Sequence, residues 1–331
     1  MLGLYVHLPF CRQHCTYCPF VISTDIALQE RYVDALVDEI AQRAKGEIVD
    51  TIYFGGGTPS RTSLENLERV VAAIDANFSV DTNLQCRPGF SPALPKSRAE
   101  ARPTFALEFS MEANPEDVDD DALAAWRALG VNRVSIGVQS FHDDELAPLG
   151  RLHGRARAID AVRAAVASGV RTNLDLILGL PQQTAASFNE TLDIAIDLGA
   201  GHLSLYMLDL EEKTPLQVQV AHGRATLPDD DLVASAYLRA VDKLDDAGLH
   251  QYEVSNFARE GEECLHNLRY WRREEYHGFG VGAHSFIGTR RFANTRDIHR
   301  YVARELAPDF TETLGEPEIK REQLFLGLRQ R

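Results

Sequence analysis

The chain has 331 residues, 44% of them hydrophobic and 25% charged, and carries a formal net charge of −15. That balance suits a globular protein of two domains, or of one large barrel with an extension, and the acidic excess argues against a nucleic-acid footprint and against simple attraction to anionic lipid. No apolar run reaches the ~18 residues of a spanning helix, and the chain enters its first strand-like run without a basic leader. The expectation is a reducing, cytoplasmic location, with any membrane contact made peripherally through a partner.

Residues 2–8 read as a short buried strand. The loop after it is Cys11-Arg12-Gln13-His14-Cys15-Thr16-Tyr17-Cys18, which places three of the five cysteines in a C-x3-C-x2-C run. Thiolates are the ligands of iron–sulfur clusters, and a cubane normally takes four. Either a fourth ligand comes from elsewhere, or one iron stays open for a group that is not protein. Two other readings stand beside this one. His7 or His14 could complete a zinc site, and Cys15 with Cys18 is also a C-x-x-C redox dithiol. A disulfide framework does not suit a chain of this length with five cysteines.

Apolar residues at helical spacing follow at 29–44. The run 50–54 is a second strand that enters Gly55-Gly56-Gly57-Thr58-Pro59, and Ser63 is placed to cap a helix over 63–76. The prolines of 85–103 break the rhythm and read as an exposed insert, with Cys86 at its start. Strands are then predicted at 105–112, 133–139, 172–179 and 202–208, alternating with helices at 115–129, 155–167 and 184–198. Six strands alternating with helices predict parallel β/α units with right-handed crossovers. The expected fold is therefore α/β, an incomplete parallel (β/α)6 barrel over 1–209 with a C-terminal extension over 210–331. Parallel barrels keep their chemistry at the C-terminal ends of the strands. The residues at those ends are Gly56, Gly57 and Thr58, then Glu112, Gln139, Arg151 and Asp175. In the extension a helix is predicted from Leu227 to Ala247 and a short strand at 251–255. The segment Gly278-Phe279-Gly280-Val281-Gly282-Ala283 fits G-x-G-x-x-A, but no helix follows, so it fails the context of a dinucleotide site. It is expected to close over the barrel edge and pocket.

The run Leu4-Tyr5-Val6-His7-Leu8-Pro9-Phe10-Cys11, with the cysteines and Tyr17 after it, resembles the radical S-adenosylmethionine (SAM) superfamily. The resemblance implies one [4Fe–4S] cluster on Cys11, Cys15 and Cys18, whose open iron chelates SAM. Reductive cleavage of the sulfonium then yields a 5′-deoxyadenosyl radical, and an electron donor must reduce the cluster. The strand-end segments are similar to those of the coproporphyrinogen dehydrogenase and heme-chaperone branch. There the positions matching Tyr5, Tyr17, Gly56, Gly57, Thr58, Glu112, Gln139, Arg151 and Asp175 contact SAM. Acceptors such as Glu112 and Asp175 suit its ammonium and hydroxyls, and Arg151 suits its carboxylate.

Three features favour the heme chaperones within that branch. Phe20 stands where the dehydrogenases have a further cysteine. Their long N-terminal extension has no counterpart before Tyr5. The stretch His266-Asn267-Leu268-Arg269-Tyr270-Trp271 matches the chaperones' H-N-x-x-Y-W motif. That match implies heme binding by His266, Asn267, Tyr270 and Trp271, with His266 as axial ligand and Cys264 as a thiolate alternative. The partners implied are heme and heme-accepting apoproteins such as respiratory hemoproteins. The alternative within the family is an oxygen-independent coproporphyrinogen III dehydrogenase. The family's pattern continues into a further small domain, and the chain reads as stopping where that domain begins.

Overall fold

Leu2, Leu4, Val6 and Leu8 alternate with Gly3, Tyr5 and His7 along the first strand, β1 (Leu2–Leu8). The four apolar side chains are almost wholly buried in the main core. Because successive side chains leave a strand on opposite faces, Gly3, Tyr5 and His7 face the other way. The same alternation recurs through the sheet and decides what each face holds. The structure is a computed structural model that describes residues 1–80 and 108–330. The predicted insert at 85–103, with Cys86, lies outside these residues.

Five further parallel strands carry the core of the sheet: β2 (Ile48–Gly56), β4 (Glu108–Ala113), β5 (Arg133–Gln139), β6 (Arg171–Leu178) and β7 (His202–Met207). A two-residue β3 (Ser79–Val80) pairs with β2. Helices Gln29–Arg43, Leu64–Asn77, Asp120–Ala128, Arg155–Ser168 and Ala185–Asp197 follow these strands in turn. They pack on the apolar face of the sheet, where Ile52, Phe54, Phe109, Met111, Val134 and Leu174 are buried. Ser63 caps its helix as expected, accepting a hydrogen bond from the Asn66 N–H.

The opposite, concave face is polar. It carries Thr51 and Tyr53 from β2, Glu108 and Glu112 from β4, Ser135 from β5, Asn173 and Asp175 from β6, and Ser204 from β7. Asn173 Nδ2 donates to Ser135 Oγ at 2.6 Å, to Asp175 Oδ1 at 2.8 Å and to Ser204 Oγ at 3.0 Å. A face with so many buried polar groups is stable only when they satisfy one another.

The extension does not stand apart from this sheet. β8 (His250–Glu253) and β9 (Asn256–Ala258) form a hairpin whose second strand pairs antiparallel with β7. At the other edge β10 (Tyr276–Phe279) pairs parallel with β1, and β11 (His284–Ile287), β12 (Arg290–Ala293) and β13 (Phe310–Thr313) continue outward. The described strands thus run in the order β13-β12-β11-β10-β1-β2-β4-β5-β6-β7-β9-β8, with no pairing between β7 and β1.

Three local expectations change. The helix expected over 115–129 starts as a 3-10 turn, Pro115–Asp117, and the α-helix begins only at Asp120. The Asp119 carboxylate causes the break, because it caps the Ala122 N–H at 2.8 Å. The strand expected at 251–255 is the hairpin β8–β9, which bends at a register shift. The glycine-rich segment 278–283 begins on β10, beside the first barrel strand, and does not cover the cavity described below. It lies against Tyr32 and the Glu39 carboxylate behind β1.

Glu39 is the joint between barrel and extension. It is 1% exposed, and its carboxylate accepts from the Gly280 N–H at 2.9 Å, Asn294 Nδ2 at 2.7 Å and the Tyr301 hydroxyl at 2.6 Å. Arg43, one helical turn on, closes an ion pair with it. Among the described residues no helix is long and apolar enough to cross a membrane.

Candidate cofactor site

The cysteine loop is held from three sides. From the strands, the Cys11 N–H donates to Ser23 O at 2.9 Å and the Gly57 N–H to Leu8 O at 3.0 Å. From the turn at 148–150, Thr16 donates its N–H to Leu149 O at 3.0 Å and its hydroxyl to Pro148 O at 2.8 Å. From the helix Pro215–Ala221, the Leu216 N–H donates to Thr16 O at 2.8 Å. Two glycines are required for this fit. A Cβ on Gly57 would stand 2.4 Å from the Pro9 carbonyl carbon, and Gly56 has φ +110° with the His7 ring 2.5 Å from where its Cβ would be. Only glycine adopts such a backbone at that proximity.

The loop overhangs a cavity of about 490 Å³ at the C-terminal ends of the parallel strands. Every residue expected to hold the cluster or SAM lines it except Tyr5. Tyr5 stands behind the wall, its ring stacked on Tyr53 at 6.2 Å and its hydroxyl 3.1 Å from His7 Nδ1. The cavity also takes Tyr53, Asn114, Ser135 and Tyr206, which sequence reasoning missed. Tyr53, Ser135 and Tyr206 share strand parity with Thr51, Gln139 and Ser204, polar residues of the same strands, so period-2 alternation carried the signal once the register was known. Asn114 follows Glu112 by two residues and links Thr58 to Arg151, donating to the Thr58 hydroxyl at 3.1 Å and accepting from Arg151 Nη2 at 2.7 Å.

Three chemistries meet in this space. The first is sulfur. Cys11, Cys15 and Cys18 are free and half-buried; Thr58 Oγ1 lies 3.3 Å from Cys11 Sγ, and Arg151 Nη1 donates to Cys15 Sγ at 3.7 Å. Burial pushes the Cys11 thiol up to about 11, with Cys18 and Cys15 nearby adding to it, and burial raises Cys18 too. Such thiols keep their protons until a thiophilic metal displaces them. The second is positive charge. Arg151 also donates to Gly137 O at 2.7 Å, while its Nε is buried with no protein partner, as an arginine awaiting a further acceptor would be. The third is the acidic pair Glu112 and Asp175. Burial raises both, and the charge of Asp175 adds to Glu112, bringing it to about 7. Glu112 is held by the Tyr53 hydroxyl at 2.9 Å and the Gly56 N–H at 3.1 Å. At Gln139, where β5 ends, the backbone turns left-handed with φ +66°. Strain of that kind in a non-glycine residue collects at functional sites.

The Glu112 shift has a direct consequence for stability. A carboxyl raised from 4.5 to about 7 makes the fold less stable as pH climbs through that window, because the native state must give up a proton it prefers to keep. In the metal-free protein, Glu112→Gln is expected to be about 1 to 2 kcal/mol more stable than wild type at about pH 8, after allowing for one lost hydrogen bond. The difference should close or reverse by about pH 4, as urea titrations at the two pH values would show.

The zinc alternative finds little support in the histidines. His7 spends one ring nitrogen on Tyr5 and the other on Val21 O at 2.8 Å, and His14 Nε2 pairs with Cys18 O at 3.0 Å. Among the described residues no three His, Cys, Asp or Glu side chains close around the space of a single ion.

The H-N-x-x-Y-W residues stand elsewhere, on helix Leu265–Trp271 beneath the opposite ends of the strands. Glu108, at the start of β4, caps this helix by accepting from the Leu265 and His266 N–H groups at 3.1 and 2.9 Å. Arg269 is anchored on Asp50 and on Glu275 O. His266 is fully buried, with Thr51 Oγ1 2.9 Å from Nδ1 and the Tyr270 hydroxyl 2.9 Å from Nε2. In this structure both ring nitrogens of the expected axial ligand are hydrogen-bonded within the protein. Asn267 is half-buried, and Trp271 lies under the Arg329 guanidinium at 4.4 Å. Cys264 is buried and its thiol donates to Glu108 at 3.4 Å, so it too is closed to a ligand.

A parallel β/α half-barrel, with its cavity at the C-terminal strand ends and three thiols on the loop after its first strand, defines a class of cluster-bearing barrel proteins. The radical SAM superfamily model matches residues 5–195, and the chain belongs to that superfamily, whose members use a [4Fe–4S] cluster and SAM. The heme chaperone HemW of Synechocystis sp. is 36% identical to it over 98% of this chain and 77% of that protein. The heme chaperone HemW of Bacillus subtilis is 34% identical over 100% and 84% respectively. Among solved structures, coproporphyrinogen III oxidase (HemN) from Escherichia coli superposes with a TM-score of 0.81, at 24% identity, over 99% of this chain and 75% of that one. That likeness establishes the fold.

Proposed function

We propose that this protein is a heme carrier on a radical SAM frame, which binds heme and passes it to an acceptor apoprotein. The observation that carries the reading is similarity, over 98–100% of this chain, to proteins named heme chaperones, joined to a cavity with the cofactor chemistry of the superfamily. Cys11, Cys15 and Cys18 would hold three irons of one cubane and leave the fourth for SAM. Arg151 would take the SAM carboxylate and Glu112 and Asp175 its ammonium and hydroxyls, with Gly56, Gly57 and Thr58 against the methionine end. Tyr17 and Gln139 complete the walls. When bound, the cluster and SAM supply one-electron cleavage of a sulfonium; the chain orients the two and keeps water from them. The function needs an electron donor for the cluster and heme-accepting apoproteins, respiratory hemoproteins among them. It places the protein in the cytoplasm or at a membrane surface through such a partner.

Heme is flat and largely apolar. Beside the cysteine loop the cavity mouth exposes Phe20 (64%), Leu152 (53%) and Met207 (49%), a rim that suits a macrocycle face and costs free energy when left in water. We place heme there rather than on the closed 265–271 helix. Anaerobic hemin titration is expected to shift the Soret band, with Phe20→Asp weakening binding about tenfold, as for loss of one well-placed apolar contact, and His266→Ala leaving it unchanged. The reverse pattern returns heme to His266, Asn267, Tyr270 and Trp271. Absence of a shift, with SAM-dependent vinyl formation from coproporphyrinogen III, would make the protein a dehydrogenase instead.

A further inference from the structure

The His266 ring does have a partner of functional interest, on the side facing the barrel. Tyr53 stacks on it with centroids 5.2 Å apart and planes 25° apart. The Tyr53 hydroxyl reaches up to Glu112 Oε1, and the other Glu112 oxygen holds the Gly56 N–H in the glycine turn. Below, His266 is fixed three times over, by Thr51, by Tyr270 and by the Glu108 carboxylate on its own N–H. Alongside, Tyr5, the register partner of Tyr53 on β1, stacks on the same tyrosine. The rings of His266 and Tyr53 thus form a column from the floor helix to the cavity.

We infer that His266 is a positioning residue for the cofactor cavity, the seat that holds Tyr53 in place to orient Glu112 and the Gly56 turn. The inference rests on the reading of that cavity as the SAM site. A stacked ring alone can slide. A ring whose two nitrogens are both hydrogen-bonded has a fixed plane, and the tyrosine resting on it inherits that plane. Residues one step behind a ligand commonly decide whether the ligand is held in a productive orientation, with losses of about 10- to 100-fold when they are removed. Tyr5 meets the cavity only through this ring, packing on Tyr53 from the neighbouring strand β1.

The test measures SAM binding in anaerobically reconstituted protein, by equilibrium dialysis and by the change SAM makes in the EPR signal of the reduced cluster. His266→Ala is expected to lower SAM affinity about tenfold. Tyr53→Phe, which loses only the hydroxyl, should do the same, and the double variant should lose little more, because both act through one contact. Leu268→Ala loosens the same floor helix outside the column and should keep wild-type affinity, which separates positioning from a loss of stability. If His266→Ala does not fold, His266→Phe keeps a ring beneath Tyr53 without its hydrogen bonds and should show a smaller loss of the same kind. Wild-type affinity in the folded His266 variants, or losses that simply add, would overturn the inference. Failure of the wild type itself to bind SAM would overturn the cavity reading, and this inference with it.

Discussion

Cys15→Ala is expected to leave anaerobically reconstituted protein with no stable [4Fe–4S] cluster. Iron should fall from about four per chain to near zero, and the broad sulfur-to-iron absorption should disappear. The reason is the size of the available ligand set. Among the described residues only Cys11, Cys15 and Cys18 bring thiols to the cavity, and Cys264 is buried below the floor with its thiol on Glu108. A cubane on three thiolates already has one iron without protein, so removal of a second leaves two anchors. Among the described residues the two nearby histidines are engaged: His7 is bonded through both nitrogens, and His14 Nε2 pairs with Cys18 O. SAM affinity should fall in parallel, because the iron that chelates it goes with the cluster. Retention of a full iron complement in Cys15→Ala, or a stoichiometric zinc ion in the wild type, would end the three-thiolate assignment.

Glu39→Ala is expected to cost about 3 to 5 kcal/mol, the loss typical of breaking one partner out of a buried ion pair. Its carboxylate is the shared acceptor for the Gly280 N–H, Asn294, Tyr301 and Arg43, which come from the first helix and from three places in the extension. Removing it takes the acceptor from the Gly280 N–H and the Tyr301 hydroxyl, whereas Asn294 keeps Gly280 O and Arg43 keeps Gly278 O and Ser285 Oγ; each uncompensated donor adds its own penalty. Glu39→Gln keeps the shape and one acceptor oxygen but turns an amide donor toward other donors, so about half the loss should remain. Urea unfolding of the two variants beside the wild type would measure this. Equal stability of Glu39→Ala and wild type would mean that strand pairing and apolar packing join barrel and extension without help from this carboxylate.

The barrel strands were legible because each carries its own alternation and each is followed by a helix with its own apolar stripe. The cysteine loop was legible because its three thiols lie within eight residues of chain. Glu112 and Gln139 stand at strand ends, where a general rule looks for them, whereas Asp175 lies within β6 and Arg151 in the loop beyond β5; all four line the cavity. The floor helix was harder. Tyr and Trp beside a histidine suggest an open aromatic face, and nothing in residues 265–271 reveals that Thr51 and Glu108 would occupy the imidazole and the helix N-terminus from more than a hundred residues away.

By itself the sequence determined the elements whose information is local: strand and helix periods, the caps, the glycine turn and the spacing of the thiols. The fold decided what those elements share. Strand register put Tyr53 against Tyr5 and His266 and aimed it at Glu112. Parallel pairing of β10 with β1 carried the glycine-rich segment away from the cavity and onto Glu39. The physical reason is range. A propensity or a ligand spacing acts over a few residues, whereas a buried hydrogen bond is satisfied by whichever donor the packing brings within about 3 Å, and packing is a property of the whole chain.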